Sequence, residues 1–390
     1  MKVSELLDFY STNSLSWEQL DYNNGKIKNL HYGLIHKGVP TMVDVVCDSL
    51  PYIKEESMPK SFTLFKEGDV AFADASEDTN DVAKAIEVVN CDNQQIVSGL
   101  HTIHGRDNYE QTIIGYKGYA FASDSFHKQI RRIAQGTKVF SISARNFDEV
   151  YIGIPSKEEQ TKIAKLLIAI DKRIATQNKI IEDLKKLKSA IVDMLLCNQN
   201  SEMLKLGDIG YFVRGLTYAN EDVTENKAAT AVIRANNLNY GNHVDKGEVV
   251  YVSRTPATSQ ILRKGDIVIC MANGSSALVG KNSYYPFNDG QSTVGAFCGI
   301  YRTSHPLAKW LMQSQRYKRL VYQSLQGGNG AIANLNGDDI LNMSFPVMEK
   351  EKSKSIIFIL EAIEKSLAVN KDLQRSYSTQ KSHLLKQMFI

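Results

Sequence analysis

The sequence lacks the features by which membrane, secreted and metal-binding proteins are usually recognised. No apolar run approaches the roughly 18 residues that a transmembrane helix needs. The N-terminus carries acidic residues and a tryptophan where a signal peptide would be apolar. The five cysteines lack metal-ligand spacing and suit a reducing compartment: Cys47, Cys91, Cys197, Cys270 and Cys298. We therefore expect a cytoplasmic protein that makes no membrane contact.

Several catalytic motifs are also absent. No Pro-Pro pair occurs, whereas an adenine methyltransferase holds its flipped base with an Asn/Asp-Pro-Pro-aromatic loop. The glycine-rich segment from Gly327 to Ile332 has neither the lysine nor the hydroxyl of a phosphate-binding loop. The Gly-x-Ser-x-Gly elbow of serine hydrolases is missing too. These absences argue against methyltransferase, translocase and hydrolase chemistry.

One segment could hold a metal ion. His101, His104 and Asp107 have a spacing compatible with a nuclease site. Histidines at positions i and i+3 of a strand point to opposite faces, however, and this disfavours a shared ion. A solitary metal-dependent nuclease is thus one alternative, while the sequence favours no metal site.

Length and charge set broad limits. A chain of 390 residues with 43% hydrophobic content fits two or three domains with proper cores. The formal net charge of +3 is only mildly basic and gives weak support for a nucleic-acid partner.

The most informative stretch is a long helix predicted to begin near Pro155 and to run for about 40 residues. Ser156 and Glu159 form a capping box at its start. The two series of every seventh residue from Ile163 and from Leu166 contain eight apolar residues in ten positions. Such a narrow apolar seam is typical of a coiled coil, so this helix requires a partner helix.

Residues 346–390 repeat this pattern and supply the partner. Ala362 to Lys365 correspond to Ala169 to Lys172, and Lys381 corresponds to Lys188. The predicted coiled-coil seam comprises Ile163, Leu166, Ile170, Gln177, Ile180, Leu184, Leu187 and Ile191 in the first helix, and Ile363, Asn370, Leu373 and Leu384 in the second. A coiled-coil adaptor without a DNA role is a second alternative.

The repeat extends beyond the helices to two globules. Glu67 to Phe72 correspond to Lys264 to Ile269, and each segment reads as a strand entered from a Gly-Asp turn. An amphipathic helix predicted from Ser125 to Gln135 corresponds to one from Leu307 to Gln326. We predict an α+β fold of two mixed α/β globules joined by two long helices, with boundaries at 1–154, 155–199, 200–345 and 346–390.

The helix entry from Pro155 to Gln160, followed by Lys162, Ile163 and Ala164, resembles that of the specificity subunits of type I restriction-modification systems. In that family a Gly-Asp strand, a Gln-Gly turn and a Pro-x-x-x-Glu-Gln helix entry recur in each half, as they do along nearly the whole of this chain. The second entry departs from the pattern, because the segment from Pro346 to Glu351 lacks both the Glu-Gln pair and a capping hydroxyl.

The resemblance implies a DNA-binding protein with no chemistry of its own. Each globule would be a target recognition domain that reads one half of a bipartite, asymmetric site in double-stranded DNA. The long helices would pair antiparallel as a spacer ruler, with Gln177 and Asn370 close together near the middle. Two modification subunits that use S-adenosylmethionine would bind this scaffold, and restriction subunits that use ATP and Mg would join the full complex.

Basic and amide side chains are the candidates for DNA contact, because phosphates need placed positive charge and base edges need hydrogen-bonding groups. The loops 136–143 and 327–334 rank highest, because they occupy the same place in both globules. The candidates are Lys37, Lys117, Arg131, Arg132, Lys138 and Arg145 in the first globule, and Arg214, Arg234, Lys281, Arg316, Arg319, Asn329 and Asn334 in the second.

Overall fold

The structure is a computed structural model that describes residues 1–195, 202–325 and 333–389. The chain divides into two compact units. Unit 1 comprises Met1–Asn178 and Lys371–Ile390, and unit 2 comprises Lys179–Asn370. The division cuts each long helix, so each globule folds together with one part of both helices.

Unit 1 contains a five-stranded sheet in the order β1-β10-β6-β8-β4, a four-stranded sheet in the order β2-β5-β3-β9 and the strand pair β11-β7. The strands are β1 (Asp8–Tyr10), β2 (Leu20–Asp21), β3 (Ile27–Leu30), β4 (Met42–Asp44), β5 (Tyr52–Ile53), β6 (Val70–Ala73), β7 (Ala75–Ser76), β8 (Ala85–Asn90), β9 (Gln95–Ser98), β10 (Thr102–Arg106) and β11 (Phe140–Ser141). The helices are α1 (Val3–Leu6), α2 (Tyr32–His36), α3 (Lys117–Phe121), α4 (Asp124–Ile133) and the first part of α5 (Lys157–Met194).

Unit 2 repeats this arrangement with the sheet orders β13-β21-β17-β19 and β14-β16-β15-β20 and the strand pairs β18-β22 and β12-β23. The strands are β12 (Glu202–Lys205), β13 (Gly210–Arg214), β14 (Val223–Thr224), β15 (Thr230–Ile233), β16 (Val250–Val252), β17 (Ile267–Cys270), β18 (Ala272–Asn273), β19 (Asn282–Tyr284), β20 (Ser292–Val294), β21 (Cys298–Thr303), β22 (Ala333–Asn334) and β23 (Ser344–Val347). The helices are the second part of α5, α6 (Leu206–Ile209), α7 (Ala308–Leu311), α8 (Gln315–Leu325), α9 (Gly337–Leu341) and the first part of α10 (Lys350–Met388).

The repeated Gly-Asp motif is a structural clamp in both units. Gly68 and Gly265 have φ angles of +87° and +103°, a conformation that favours glycine. The following aspartates, Asp69 and Asp266, are buried at the starts of β6 and β17. Arg106 on β10 donates to both carboxylate oxygens of Asp69, at 2.6 and 2.8 Å. The clamp therefore fixes the neighbouring strand to the turn that precedes it.

The start of α5 has the predicted capping box. The backbone N–H of Glu159 donates to the Ser156 hydroxyl at 3.3 Å, and the Ser156 N–H donates to Glu159 at 3.2 Å. Gln160 is fully buried and donates to the carbonyls of Gln111 and Pro155. The Glu-Gln pair of the motif thus caps the helix with one residue and anchors it to the globule with the other.

The two long helices run antiparallel within each unit. In unit 1, Asp171 on α5 pairs with Lys381 on α10 at 2.7 Å, while Leu167 shares a core with Leu384. Residues with lower numbers on α5 therefore contact residues with higher numbers on α10. In unit 2, Lys188 pairs with Glu364 at 2.8 Å, and Val192 and Leu360 lie in one core cluster. This architecture confirms the predicted α+β fold with paired long helices.

Each unit holds both helices with an equivalent set of contacts. Tyr119 of unit 1 donates to Asp171 at 2.8 Å, and the Lys381 ammonium lies 5.3 Å from the centre of the Tyr119 ring. In unit 2, Lys188 lies 5.3 Å from the centre of the Trp310 ring. Burial alone would raise the pKa of Glu364, but Lys188 and a second lysine, Lys309, lower it below its ordinary value.

One of the two predicted seam series of α5, that of Leu166, Ile180 and Leu187, is displaced by one residue. Leu166, Ile180 and Leu187 are 41%, 38% and 48% exposed, whereas Leu167 and Ile181 are buried. The physical reason is that each helix packs against its globule as well as the other helix. Its apolar face therefore follows the helical repeat of 3.6 residues, which drifts from a strict seven-residue seam.

The remaining seam positions are distributed between core and surface. In α5, Ile170 and Gln177 are buried, while Ile163, Leu184 and Ile191 are half-buried. In α10, Ile363 is buried, Asn370 and Leu384 are half-buried, and Leu373 is 42% exposed. The Asn370 amide donates to the Ser366 carbonyl at 2.7 Å. The proximity of Gln177 and Asn370 remains a prediction.

Candidate nucleic-acid interface

The sheet β2-β5-β3-β9 of unit 1 and the sheet β14-β16-β15-β20 of unit 2 each contain one pair of parallel strands, β3–β9 and β15–β20. His31 and Gly99 follow the carboxyl ends of the first pair, and Arg234 and Gly295 follow those of the second. Ligands of open α/β sheets bind outside the carboxyl ends of parallel strands. These ends therefore define an equivalent candidate site in each unit.

The unit 2 face is a concavity of about 600 Å³ at this position. We define it by the polar side chains of Asn220, Arg234, Asn236 and Asn273 and by Phe297 on its rim. Arg234 and Asn236 belong to the turn after β15, and Asn273 ends β18. Among the residues that the structure describes, no carboxylate lines this concavity. The face is consequently suited to a polar, anionic ligand.

The unit 1 face occupies the same position but is aromatic. We define it by Trp17, His31, Tyr32, His36 and His101. Trp17 is 45% exposed, and its ring lies 4.3 Å from the His31 ring. The Tyr32 ring lies 4.7, 5.8 and 5.2 Å from those of His31, His36 and His101. Flat, partly exposed rings of this kind offer stacking surfaces for bases.

Two histidines of this face have distinct environments. His31 is buried, and its Nδ1 accepts the Gly33 N–H at 3.1 Å. Burial, and then the charge of His101, lower the His31 pKa below its ordinary value. His101 has a φ of +54° and lies 3.2 Å from Asp74. Its left-handed backbone conformation, which is uncommon for residues other than glycine, forms part of the turn between β9 and β10.

The described residues of the loops predicted to matter most are linked to these faces through strand pairs. Within loop 136–143, β11 pairs with β7, and the β7 residue Ala75 contacts His36 Nε2 through its carbonyl at 3.0 Å. In unit 2, Asn334 on β22 pairs with Ala272, which immediately precedes Asn273 of the unit 2 face. Loop residues 326–332, including Asn329, lie outside the described residues.

Most of the predicted contact residues are accessible. Arg234 lies on the unit 2 face itself. Lys281 directly precedes β19 and is half-buried. The exposed candidates are Lys37, Arg132, Lys138, Arg145, Arg214, Arg234, Arg319 and Asn334.

Lys117 is a correction to the sequence analysis. Its side chain is 3% exposed, donates to the Thr112 hydroxyl at 2.7 Å and lies 3.5 Å from Glu87. Glu87 is also buried and accepts the backbone N–H groups of Gly115 and Gly118. Lys117 therefore compensates a buried carboxylate and cannot reach DNA.

Two predicted arginines make contacts within the protein. Arg131 lies 3.5 Å from Asp124 and donates to Asn80 at 3.2 Å. The Arg316 guanidinium donates to the Ser344 carbonyl at 2.9 Å. Both are half-buried, so they help to hold helices α4 and α8 in place.

The histidines weighed as a metal site have separate partners. His101 contacts Asp74, whereas His104 is buried and lies 2.8 Å from Asp69. Asp107 accepts the Thr112 N–H at 2.8 Å and its hydroxyl at 2.7 Å. In the described parts of the chain no cluster of possible metal ligands is found. No helix among these residues is long and apolar enough to cross a membrane.

Sequence reasoning missed Asn236, Asn273 and Phe297 on the unit 2 face, and Trp17 and His31 on the unit 1 face. The candidates were chosen for basic charge, and amides were named only in the loop 327–334, so these residues fell outside the selection. The repeat itself held a usable signal, since the residues that follow equivalent strands could have been compared between copies. Arg234 and His31 occupy equivalent positions by that comparison.

Residues 1–186 match a family model described as "Type I restriction modification DNA specificity domain". The chain is similar to the Type I restriction enzyme EcoKI specificity subunit of Escherichia coli (strain K12) and to the StySPI specificity subunit of Salmonella potsdam. Each is 29% identical over 150 residues, which cover 36% of this chain and 31% of the relative. The alignment thus spans about a third of the length of these curated relatives.

Solved structures share the fold over the whole chain. The type I restriction-modification S subunit from M. genitalium is 15% identical, with a TM-score of 0.59 and coverage of 100% of this chain and 95% of that one. A second structure, from a study of complex assembly and conformational transition of the type I R-M system, is 14% identical, with a TM-score of 0.55 and coverage of 99% and 95%. These similarities confirm the predicted resemblance to type I specificity subunits, and the matching family model covers residues 1–186.

Proposed function

We propose that this chain is the DNA-reading specificity subunit of a type I restriction-modification complex and performs no chemistry of its own. Each unit reads one half of a bipartite, asymmetric site in double-stranded DNA. The observation that carries the proposal is the duplication, within one chain, of two sheets with equivalent strand orders, apart from the additional edge strand β4 of unit 1. Two readers of similar architecture but different surface chemistry suit a site whose halves differ in sequence.

The paired helices support a role as spacer ruler and docking scaffold. Both are long, at 38 and 39 residues, and each unit binds them through an equivalent ion pair. Two modification subunits with S-adenosylmethionine would dock on this scaffold, and restriction subunits with ATP and Mg would complete the assembly. Exposed apolar residues on both helices, such as Leu187 and Phe358, offer contact area for such partners.

The test is co-expression of the chain with a type I modification subunit encoded beside it, followed by genome-wide mapping of methylated adenines. We expect methylation of a single two-part motif that depends on this chain. Methylation of the same sites in its absence would contradict the proposal. Assembly of the chain with the modification subunit without any effect on DNA modification would also contradict the proposal and would favour a coiled-coil adaptor.

Exchange of residues 1–150 for the corresponding segment of a related subunit tests the independence of the two readers. Because each globule has its own sheets and core, we expect a change in one half of the methylated motif only. A simultaneous change in both halves would contradict independent reading.

A further inference from the structure

The amide side chains of the unit 2 face are arranged for contact with a polar edge. Asn220, Asn236 and Asn273 are all polar contributors to one concavity, and the exposed Arg234 adds positive charge. The side-chain Oδ1 of Asn273 accepts the Ser275 N–H at 2.9 Å, so the NH₂ group of the same amide is oriented by this turn. Asparagine can bind the N6/N7 edge of adenine with two hydrogen bonds, and arginine binds guanine or phosphate.

The backbone of Phe297 is anchored by hydrogen bonds, while its side chain is exposed. The ring is 70% exposed, yet the Phe297 carbonyl accepts the N–H groups of Met271 and Ala272 at 2.8 and 3.3 Å. The Cys298 N–H closes the same turn by donating to the Gly295 carbonyl at 2.8 Å. An exposed apolar ring on an anchored backbone, beside the amides of this concavity, can stack on a base or insert at a base step.

The equivalent position in unit 1 supports a common use. There the turn between β9 and β10 presents His101, as the turn between β20 and β21 presents Phe297. The unit 1 face replaces amides with the rings of Trp17, His31 and Tyr32. A shared position with different chemistry is what two readers of different half-sites require.

We propose that the unit 2 face is the base-reading surface of the second half-site, with Asn236 and Asn273 bound to base edges and Phe297 stacked on a base of double-stranded DNA. The inference rests on the proposed function and names the residues that perform it. By the same logic, the unit 1 face reads the other half-site with Trp17 as its exposed stacking ring.

The experiment compares Asn236→Ala, Asn273→Ala and Phe297→Ala in the full chain, co-expressed with the modification subunit. Loss of a good base contact or of one stacking ring lowers occupancy by roughly 5- to 150-fold. We expect methylation to fall by that factor, with relaxed sequence preference confined to one half of the motif. Trp17→Ala should affect only the other half.

Phe287→Ala and Asn288→Ala are matched controls. They also change an exposed phenylalanine and an exposed asparagine of unit 2, but neither residue lines the concavity. We expect both to retain the full methylation pattern. Phe297→Leu and Asn236→Gln serve as milder variants, and an unchanged unfolding midpoint establishes that each variant is folded.

Two results would overturn the inference without touching the proposed function. One is an unchanged two-part motif and rate in all three folded face variants. The other is equal relaxation of both halves. Failure of the proposed function looks different, since the unmodified chain would then direct no two-part methylation at all.

Discussion

Arg302→Met should destabilise unit 2 strongly, because Arg302 is the central donor of its Gly-Asp clamp. The guanidinium donates to both Asp266 oxygens at 2.8 and 2.7 Å and to the carbonyls of Ser259 and Ile261 at 3.0 and 2.7 Å. Methionine removes every one of these donors and leaves the buried Asp266 carboxylate without its countercharge. Removing one partner of a buried ion pair costs about 3–5 kcal/mol.

The assay uses the fact that the chain has only two tryptophans, one in each unit. Trp310 is buried in unit 2, so a Trp17→Phe background makes intrinsic fluorescence a reporter of unit 2 alone. The free energy of unfolding falls by about 3 kcal/mol per molar urea at the upper end for small domains. The Arg302→Met transition should therefore move to lower urea by roughly 1 to 2 M.

Arg106→Met in unit 1 is the matched control. With Trp310→Phe as background, Trp17 reports on unit 1, and Arg106→Met should lower that transition while Arg302→Met leaves it in place. Adding Asp266→Asn to Arg302→Met should recover part of the lost stability, because the buried charge is then gone. A midpoint shift below about 0.3 M for Arg302→Met would refute this account of the clamp.

Three further outcomes are expected. Lys381→Met should cost unit 1 at most about 1 kcal/mol in urea unfolding, because its pair with Asp171 is partly solvent-exposed; a larger loss would contradict this. Unit 1 should lose stability as pH falls below about 6.5, because burial lowers the pKa of His127 and the unfolded chain takes up the proton first. Thermal unfolding at neutral and mildly acidic pH measures this pH dependence of stability; His127→Gln should reduce it without abolishing it, because burial also lowers the pKa of His31 in unit 1. Matched insertions of four residues after Gln177 and Asn370 should lengthen the unread spacer of the methylated motif by about two base pairs, since each helical residue adds about 1.5 Å; an unchanged spacer would show that the helices are not the ruler.

The sequence was sufficient to predict the repeat, the long helices and the start of the first long helix. Those features depend on local patterns, such as the Ser156–Glu159 cap and the apolar periodicity of α5. The Gly-Asp turn was recognised as a strand entry but not as a clamp. Its partner Arg302 lies 36 residues after Asp266, and only the antiparallel register of β17 and β21 brings the two together.

Local sequence patterns could not predict which polar residues are buried. Lys117 resembles any surface lysine in the sequence; it lies on α3, and its partner Glu87 lies on strand β8. The buried face of α5 differs from the predicted seam for a related reason. A strict heptad assumes that a helix packs against one partner, whereas α5 packs against both its globule and α10. The candidate faces were hidden because their members, such as Trp17 and His101, converge only when the sheet forms.

The placement of residues 371–389 in unit 1 has a consequence for the order of events during synthesis. Leu384, Leu385, Met388 and Phe389 pack on the core of unit 1, and the Phe389 ring lies 5.6 Å from that of Tyr116. The ribosome makes these residues roughly 190 positions after Asn178, a delay of about 10 to 40 s at ordinary elongation rates. During that interval unit 1 exposes the apolar surface that α10 later covers. A nascent chain at this stage exposes the kind of surface that chaperones bind. If the ribosome stalls within unit 2, residues 371–389 are never made and the apolar surface of unit 1 stays uncovered.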